Sequence, residues 1–216
     1  MPRTARERLI VFAKGARPGA VKTRLAPALG AASAAALHER LVEHTMATAR
    51  EAAPGELELC AAPVEDAFLD DCAKRHGATL VAQNGADLGE RMHSAFERAL
   101  QVARCSAAVL IGSDCPALTP RLVRVAFAAL EDHDAVVAPA EDGGYVLIGL
   151  SRLDASVFGG IEWSTDRVMA RTRERLAMLR WRWHELPTLW DVDRPADYER
   201  LVGSGLLAGL GPVPPG

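Results

Sequence analysis

Short, uninterrupted apolar runs alternate along the chain with longer segments whose apolar residues recur at helical spacing. The first run, residues 9–13, ends at a loop rich in glycine, proline and cations, which is typical of a strand buried on both faces. Further strands are predicted over residues 57–61, 78–82, 107–111, 135–138, 145–150 and 181–186. Helices are predicted over residues 31–53, 65–75, 89–103 and 195–201, after Thr119 and from Thr165.

Local signals mark the borders and faces of these helices. Gly77 suits a left-handed C-cap, while Thr119 and Pro120 suit an N-cap and the first helical residue. Helical spacing predicts which side chains of two helices face the core. These are Met92, Phe96, Ala99 and Leu100 in one helix, and Leu122, Val125, Ala126 and Ala129 in the other.

The alternation of strands and helices predicts an α/β fold. Parallel neighbouring strands need crossover connections, so we expect one Rossmann-like domain with a mainly parallel central sheet and helices on both faces. The 216 residues, 49% of them hydrophobic, suffice for one buried core. We expect this domain over residues 1–202 and a flexible tail, rich in glycine and proline, over residues 203–216. Ligands of such sheets bind at the carboxyl ends of the strands.

Composition narrows the range of partners. With 25 Lys and Arg against 28 Asp and Glu, the net charge is −3, so a nucleic-acid partner is not expected. No apolar run approaches the roughly 20 residues that cross a bilayer, so a membrane partner is not expected either. The four cysteines lack the spacing of a metal knuckle or a disulfide framework, which indicates reduced thiols and a cytoplasmic protein. The spacing of His93 and His184 gives no reason to expect zinc.

The loop after the first strand is a candidate phosphate site. Four cations stand in eleven residues, with glycines that let backbone N–H groups approach an anion: Lys14, Arg17, Lys22 and Arg24. The spacing is not that of a Walker A loop. A solvated basic loop is the alternative interpretation.

A second candidate follows the strand at residues 107–111. Asp114 ends this buried strand, where a carboxylate is unfavourable unless a positive group meets it. A Mg²⁺ ion that bridges phosphate oxygens would supply that charge, whereas a turn or helix cap is the alternative role of Asp114. Cys115 is interpreted as a packing thiol because no nearby residue is nominated as its base.

Three further polar segments have two interpretations each. Asp142, in the segment 141–145, belongs either to a hairpin turn or to an acceptor site. Asp193 could cap the last helix or join Asp114 on a metal. Gln83 could contact a nucleobase, and Asp87 could either cap a helix or contact the nucleotide, capping being the commoner role.

Six segments, taken together and in this order, resemble one bacterial family. They are FAKGARPGAVKTRLAPALG, DLGERM, IGSDCPALTP, AEDGGYVLIGL, IEWSTDRV and DVDRPADYERL. The family is DUF2064, whose members resemble glycosyltransferases with a GT-A-like domain within a superfamily of nucleotide-diphospho-sugar transferases and nucleotidylyltransferases. The resemblance implies that the loop 14–24 holds nucleotide phosphates, that Asp114 holds Mg²⁺ and that Asp193 is a second metal ligand. Arg194 departs from the superfamily, which usually has Thr before the proline.

The expected function is a transferase that depends on Mg²⁺ or Mn²⁺. It would move a sugar from a nucleoside diphosphate sugar to a small-molecule acceptor. The metal held by Asp114 and the loop cations, Lys22 among them, would stabilise the departing diphosphate, and Asp142 would be the acceptor base. Nucleotidyl transfer with release of pyrophosphate uses the same loop and metal, and so stays open. A non-catalytic nucleotide-binding module is the third alternative.

Overall fold

A computed structural model of the protein describes residues 6–52 and 55–208, and all strands of this part of the chain belong to one sheet. The strands are β1 (Glu7–Lys14), β2 (Glu56–Ala62), β3 (Thr79–Ala82), β4 (Ala107–Gly112), β5 (Ala135–Pro139), β6 (Tyr145–Leu150) and β7 (Trp183–Glu185). Their spatial order is β3-β2-β1-β4-β6-β5-β7. β6 runs antiparallel to β4 and β5, and the other pairs are parallel. The predicted α/β class with a mainly parallel sheet is confirmed.

Helices connect most of the strands. They are α1 (Ala26–Leu29), α2 (Ala31–Ala52), α3 (Ala67–His76), α4 (Leu88–Phe96), α5 (Pro120–Ala129), α6 (Val168–Met178) and α7 (Pro195–Ser204). α4 continues as a π-helical segment, Glu97–Val102. Two predicted caps are confirmed: Gly77 ends α3 with φ 64°, and the Thr119 hydroxyl accepts the Leu122 N–H at 3.3 Å.

The apolar core lies on both faces of the sheet because successive strand residues point to opposite sides. In β1, Leu9 and Val11 pack in one cluster, with side chains of α2, α3 and α5. Ile10 and Phe12 pack in the other, with α4 and α6. A third cluster joins α1, α2 and α7 beside Trp190. The predicted helices on both faces are therefore confirmed.

Several details differ from the sequence pattern. Val125, predicted to face the core, is 39% exposed, whereas Val123 and Phe127 are buried, so the apolar face of α5 is rotated. α6 begins at Val168 and not at Thr165, whose hydroxyl instead donates to the Glu162 carbonyl at 2.8 Å. That hydrogen bond closes a turn before the helix.

The C-terminal segment follows α7. This helix extends to Ser204, and Leu207 packs against the third cluster. Residues 209–216 of the predicted tail lie outside the described residues, so the boundary at residue 202 stays a prediction. Within the part of the chain that the structure describes, no helix is both long and apolar enough to cross a membrane.

Candidate active site

Three loops meet around Lys22 at the carboxyl edge of the sheet. Lys22 has a left-handed backbone with φ 48° and is only 8% exposed. Its ammonium donates to the Val192 carbonyl at 2.6 Å and lies 2.8 Å from Asp114 Oδ1. The Val192 N–H donates in turn to the Asp114 carbonyl at 2.9 Å. The loops that follow β1, β4 and β7 are thereby tied into one site.

Asp114 is at the centre of this arrangement. Its Oδ1 is buried against the ammonium of Lys22, although the side chain as a whole is 46% exposed. The rest of the carboxylate therefore faces solvent. Burial disfavours its charged form, but the ammonium of Lys22 outweighs this effect and holds the pKa of Asp114 below its ordinary value.

His38, on α2, closes the buried side of the site. Its Nε2 lies 2.9 Å from the Lys14 carbonyl, which only accepts, so Nε2 carries the proton and donates. Its Nδ1 faces Asp114 Oδ1 at 3.8 Å. Burial lowers the pKa of His38, which is therefore neutral at pH 7. Lys22 is thus the main counter-charge of Asp114.

The carboxylates of Asp191 and Asp142 lie in the same part of the site as Asp114. Burial, together with the like charges of Asp142 and Asp114, raises the pKa of Asp191 to about 6. The sequence predicts Asp193 as the metal ligand and does not single out Asp191. The alternation Asp191-Val192-Asp193 could have indicated Asp191 as well. Val192 is buried, so the carboxylates on both sides of it point away from the core.

Asp193 has a different partner. Its carboxylate pairs with Arg24 of the cationic loop, and both side chains are exposed. The cap of α7 comes from Asp197, whose Oδ2 accepts the N–H groups of Asp193 and Arg194 at 3.1 and 2.7 Å. The capping interpretation of Asp193 is therefore wrong, and its metal role stays a prediction.

The remaining cations form an open rim. Lys14 and Arg17 are exposed, and neither side chain forms a hydrogen bond or ion pair with any residue in the ranges 6–52 and 55–208. Because Lys22 is held at Asp114, the loop presents one buried cation and an exposed rim formed by Lys14, Arg17 and Arg24, of which Arg24 pairs with Asp193. Such a rim suits a polyphosphate.

Gln83 and Asp87 have structural partners. The Gln83 amide donates to the carbonyls of Ala13 and Cys60 at 3.2 and 2.9 Å, which ties the ends of β1 and β2. Asp87 accepts the Glu90 N–H at 2.9 Å as the N-cap of α4, which is the commoner of its two interpretations. A nucleotide contact by either side chain stays a prediction.

The loop between β5 and β6 is a hairpin turn, as one interpretation predicted. Asp142 accepts the Gly144 N–H at 2.9 Å within it, and Glu141 pairs with Arg200 at 2.7 and 3.2 Å. Gly143 has φ 90°, and a Cβ there would lie 2.1 Å from the Asp166 carbonyl oxygen. The loop before α6 thus packs directly on the hairpin that carries Asp142.

We expect Gly143→Ala to destabilise the protein. A left-handed backbone at a non-glycine residue costs about 1–3 kcal/mol, and the clash with the backbone at Asp166 adds to it. Urea unfolding followed by circular dichroism measures the change. Gly203→Ala is the matched control, since a Cβ there meets nothing within 4 Å and α7 gains a better helix former. Equal stability of the two variants would contradict the close approach.

Cys115→Ser should retain most of whatever activity the wild type shows. Burial raises the pKa of the Cys115 thiol to about 12, so the thiolate that a covalent mechanism needs is absent at neutral pH. Turnover is compared in both proteins, and intact-mass measurement after incubation with substrate detects any adduct. An adduct on Cys115 would overturn its assignment as a packing residue.

Comparison with solved structures agrees with the fold. A provisionally named nucleotide-diphospho-sugar transferase from Desulfovibrio desulfuricans G20 is 33% identical and superimposes with a TM-score of 0.85 over 95% of this chain and 90% of that one. Rv0371c from Mycobacterium tuberculosis H37Rv, in complex with manganese, is 19% identical, with a TM-score of 0.54 over 96% and 100% of the two chains. CMP:2-keto-3-deoxy-manno-octonic acid synthetase complexed with CTP is 12% identical, with a TM-score of 0.57 over 93% and 98%. At these low identities, the last two show a shared fold only.

Fold and relatives together define a transferase of the nucleotidyl- and sugar-transferase type. The chain belongs to the family described as uncharacterized proteins conserved in bacteria (DUF2064), whose model matches residues 45–165. That span contains Asp114 and Asp142, while the cationic loop and residues 191–195 lie outside it. No curated protein matches the sequence.

Proposed function

We propose that this protein is a nucleotide-diphospho-sugar transferase that depends on Mg²⁺ or Mn²⁺ and moves a sugar to a small acceptor. The observation that carries the proposal is the ion pair of Lys22 with Asp114, set between a cationic rim and the carboxylates of Asp142 and Asp191. Cations that would bind a diphosphate therefore lie at the same edge of the sheet as carboxylates that would bind a metal or accept a proton. The 33% identical relative, named as a nucleotide-diphospho-sugar transferase, supports the substrate class.

The residues present fit a hard divalent cation. Lys22 meets Oδ1 of Asp114, so the rest of this half-exposed carboxylate is open to a cation, and Mg²⁺ binds through one or two carboxylates together with substrate phosphates. Asp114 and Asp193 would hold the ion, with Asp191 as a further carboxylate beside Asp114. A bound cation supplies positive charge where negative charge develops on the departing diphosphate. The manganese complex of a protein with the same fold is consistent with this choice.

The protein's own residues supply the remaining functions. Lys14, Arg17 and Arg24 would bind phosphate oxygens, and Lys22 would stabilise charge on the leaving group, since it is positively charged and shielded from water. Asp142 would accept the proton of the acceptor hydroxyl. Burial and the like charges of Asp142 and Asp114 raise the pKa of Asp191 to about 6, which supports proton transfer in this part of the site.

The first experiment identifies the ligand. Melting curves are recorded with nucleoside diphosphates, triphosphates and nucleotide sugars, each with and without Mg²⁺, because a ligand that binds only the native state raises the melting temperature. The best nucleotide sugar is then incubated with candidate acceptors. Release of nucleoside diphosphate supports sugar transfer.

Nucleotidyl transfer is the second candidate. It is favoured by the shared fold of a CTP-bound synthetase, and it would release pyrophosphate from a nucleoside triphosphate. Product analysis separates the two reactions directly. Nucleotide binding without release of either product would mean that the protein is a non-catalytic nucleotide-binding module.

A further inference from the structure

Three potential metal ligands meet between α2 and α3, outside the active site. Cys72 and His76 are four residues apart on α3, so they share one face of that helix, and Glu43 on α2 faces them. His76 Nε2 and Glu43 Oε2 are 3.0 Å apart. The sulfur, the nitrogen and the carboxylate oxygen all lie within 4.8 Å of one another.

This cluster is separate from the candidate active site because it lies farther toward the amino edge of the sheet. α3 starts after the carboxyl end of β2 and ends just before the amino end of β3. Since β2 and β3 are parallel, the last turn of α3 is at the amino edge, whereas Asp114 and Lys22 are at the carboxyl edge. Metal binding by this cluster can therefore be tested separately from catalysis.

The donor set matches zinc better than magnesium. Zn²⁺ takes thiolate, imidazole and carboxylate ligands at about 2.0–2.3 Å in a tetrahedron, which places its ligand atoms roughly 3–4 Å apart. The present separations already approach that spacing. Cys72 is fully buried while Glu43 and His76 are half-buried, so a fourth position toward solvent suits a water molecule.

Arg75 holds the other side of the carboxylate. Its guanidinium pairs with Glu43 Oε1 and leaves Oε2 to His76. A partner of this kind orients a ligating carboxylate without contacting the metal itself.

We propose that Glu43, Cys72 and His76 form a binding site for a zinc-type divalent cation that cross-links α2 and α3. Binding forms a metal–sulfur bond as the Cys72 thiol releases its proton to solvent, and nothing is oxidised or reduced. The imidazole ligates through Nε2 as its proton moves to Nδ1, and Arg75 stays on Oε1. The bound ion stabilises the native state because the unfolded chain does not present the three ligands together.

The test uses Co²⁺ as a spectroscopic probe on the metal-free full chain. A thiolate-to-cobalt charge-transfer band in the near ultraviolet, saturating at one ion per chain, is the expected result. Carboxylate sites such as that of Asp114 give no such band, so the active site does not interfere. Cys72→Ser should lose the band, and Cys105→Ser, which removes another buried thiol far along the chain, should retain it.

His76→Gln is the second variant in this test. The His76 side chain is only half-buried, so we expect this variant to disturb the core less than Cys72→Ser does. We expect at least a tenfold weaker Co²⁺ affinity and loss of the rise in melting temperature that Zn²⁺ gives the wild type. No charge-transfer band in the wild type, or a band unchanged in His76→Gln, would overturn the proposal. The cluster would then be an ion-pair network alone, and the proposed transferase would be unaffected.

Discussion

Asp114→Asn should abolish Mg²⁺-dependent turnover while the protein still unfolds cooperatively. Asn preserves the size of the side chain and its oxygen can still accept a hydrogen bond from Lys22, but it lacks the charge that a hard cation requires. If Asp114 served only as a turn or cap, Asn would be nearly as good, because the two residues rank together in that role. The substitution therefore separates the metal interpretation from the structural one.

The measurement is a Mg²⁺ titration of activity, or of nucleotide affinity, beside a melting curve. The variant leaves Lys22 buried without its counter-charge, so the melting temperature should fall. Asp132→Asn, at an exposed position, is the matched control and should change neither property. A wild-type Mg²⁺ dependence in Asp114→Asn would defeat the metal assignment.

Lys22→Ala should weaken nucleotide binding more than Arg24→Ala does. A charge-assisted hydrogen bond to phosphate is worth about 1.5–3 kcal/mol, or about 10- to 150-fold in affinity. Lys22 acts from a buried position, whereas Arg24 is 61% exposed and already pairs with Asp193, so water and salt screen its contribution.

Titration calorimetry with the best nucleotide from the melting screen gives both affinities. Arg50→Ala removes an exposed cation of α2 at no proposed site and serves as the control. Unchanged affinity in both loop variants would mean that the loop is a solvated basic loop and does not bind phosphate. Equal loss in both would contradict the dominant role of the buried ammonium.

Most of the fold could be predicted because its signals are local. An apolar run such as residues 9–13 identifies a buried strand without knowledge of its neighbours, and Gly77 or Thr119 identifies a helix end from its own chemistry. The direction of β6 could not be read in this way. Residues 145–150 have the same apolar character as a parallel strand, and only the pairing with β4 and β5 shows the reversal.

The candidate site was predicted in part. The residues of the loop 14–24 and Asp114 could be nominated because cations and a carboxylate follow buried strands. Their pairing could not, since it depends on a left-handed backbone at Lys22, which is rarely adopted by a residue with a side chain. The interaction between Asp191 and Asp142 is likewise long-range, because it arises where two separate loops approach each other.

The reversal of β6 has a consequence for how this protein could diversify. The chain reaches the carboxyl edge at Pro139 and leaves it again at Tyr145, so the hairpin between them starts and ends at the same edge and feeds no helix. Loops of this kind tolerate insertions because added residues extend into solvent. A lineage could therefore lengthen this hairpin without moving β4 or the ion pair at its end. Divergence in substrate choice would concentrate in the five residues 140–144, Asp142 among them, while the ion pair of Lys22 with Asp114 stayed in place.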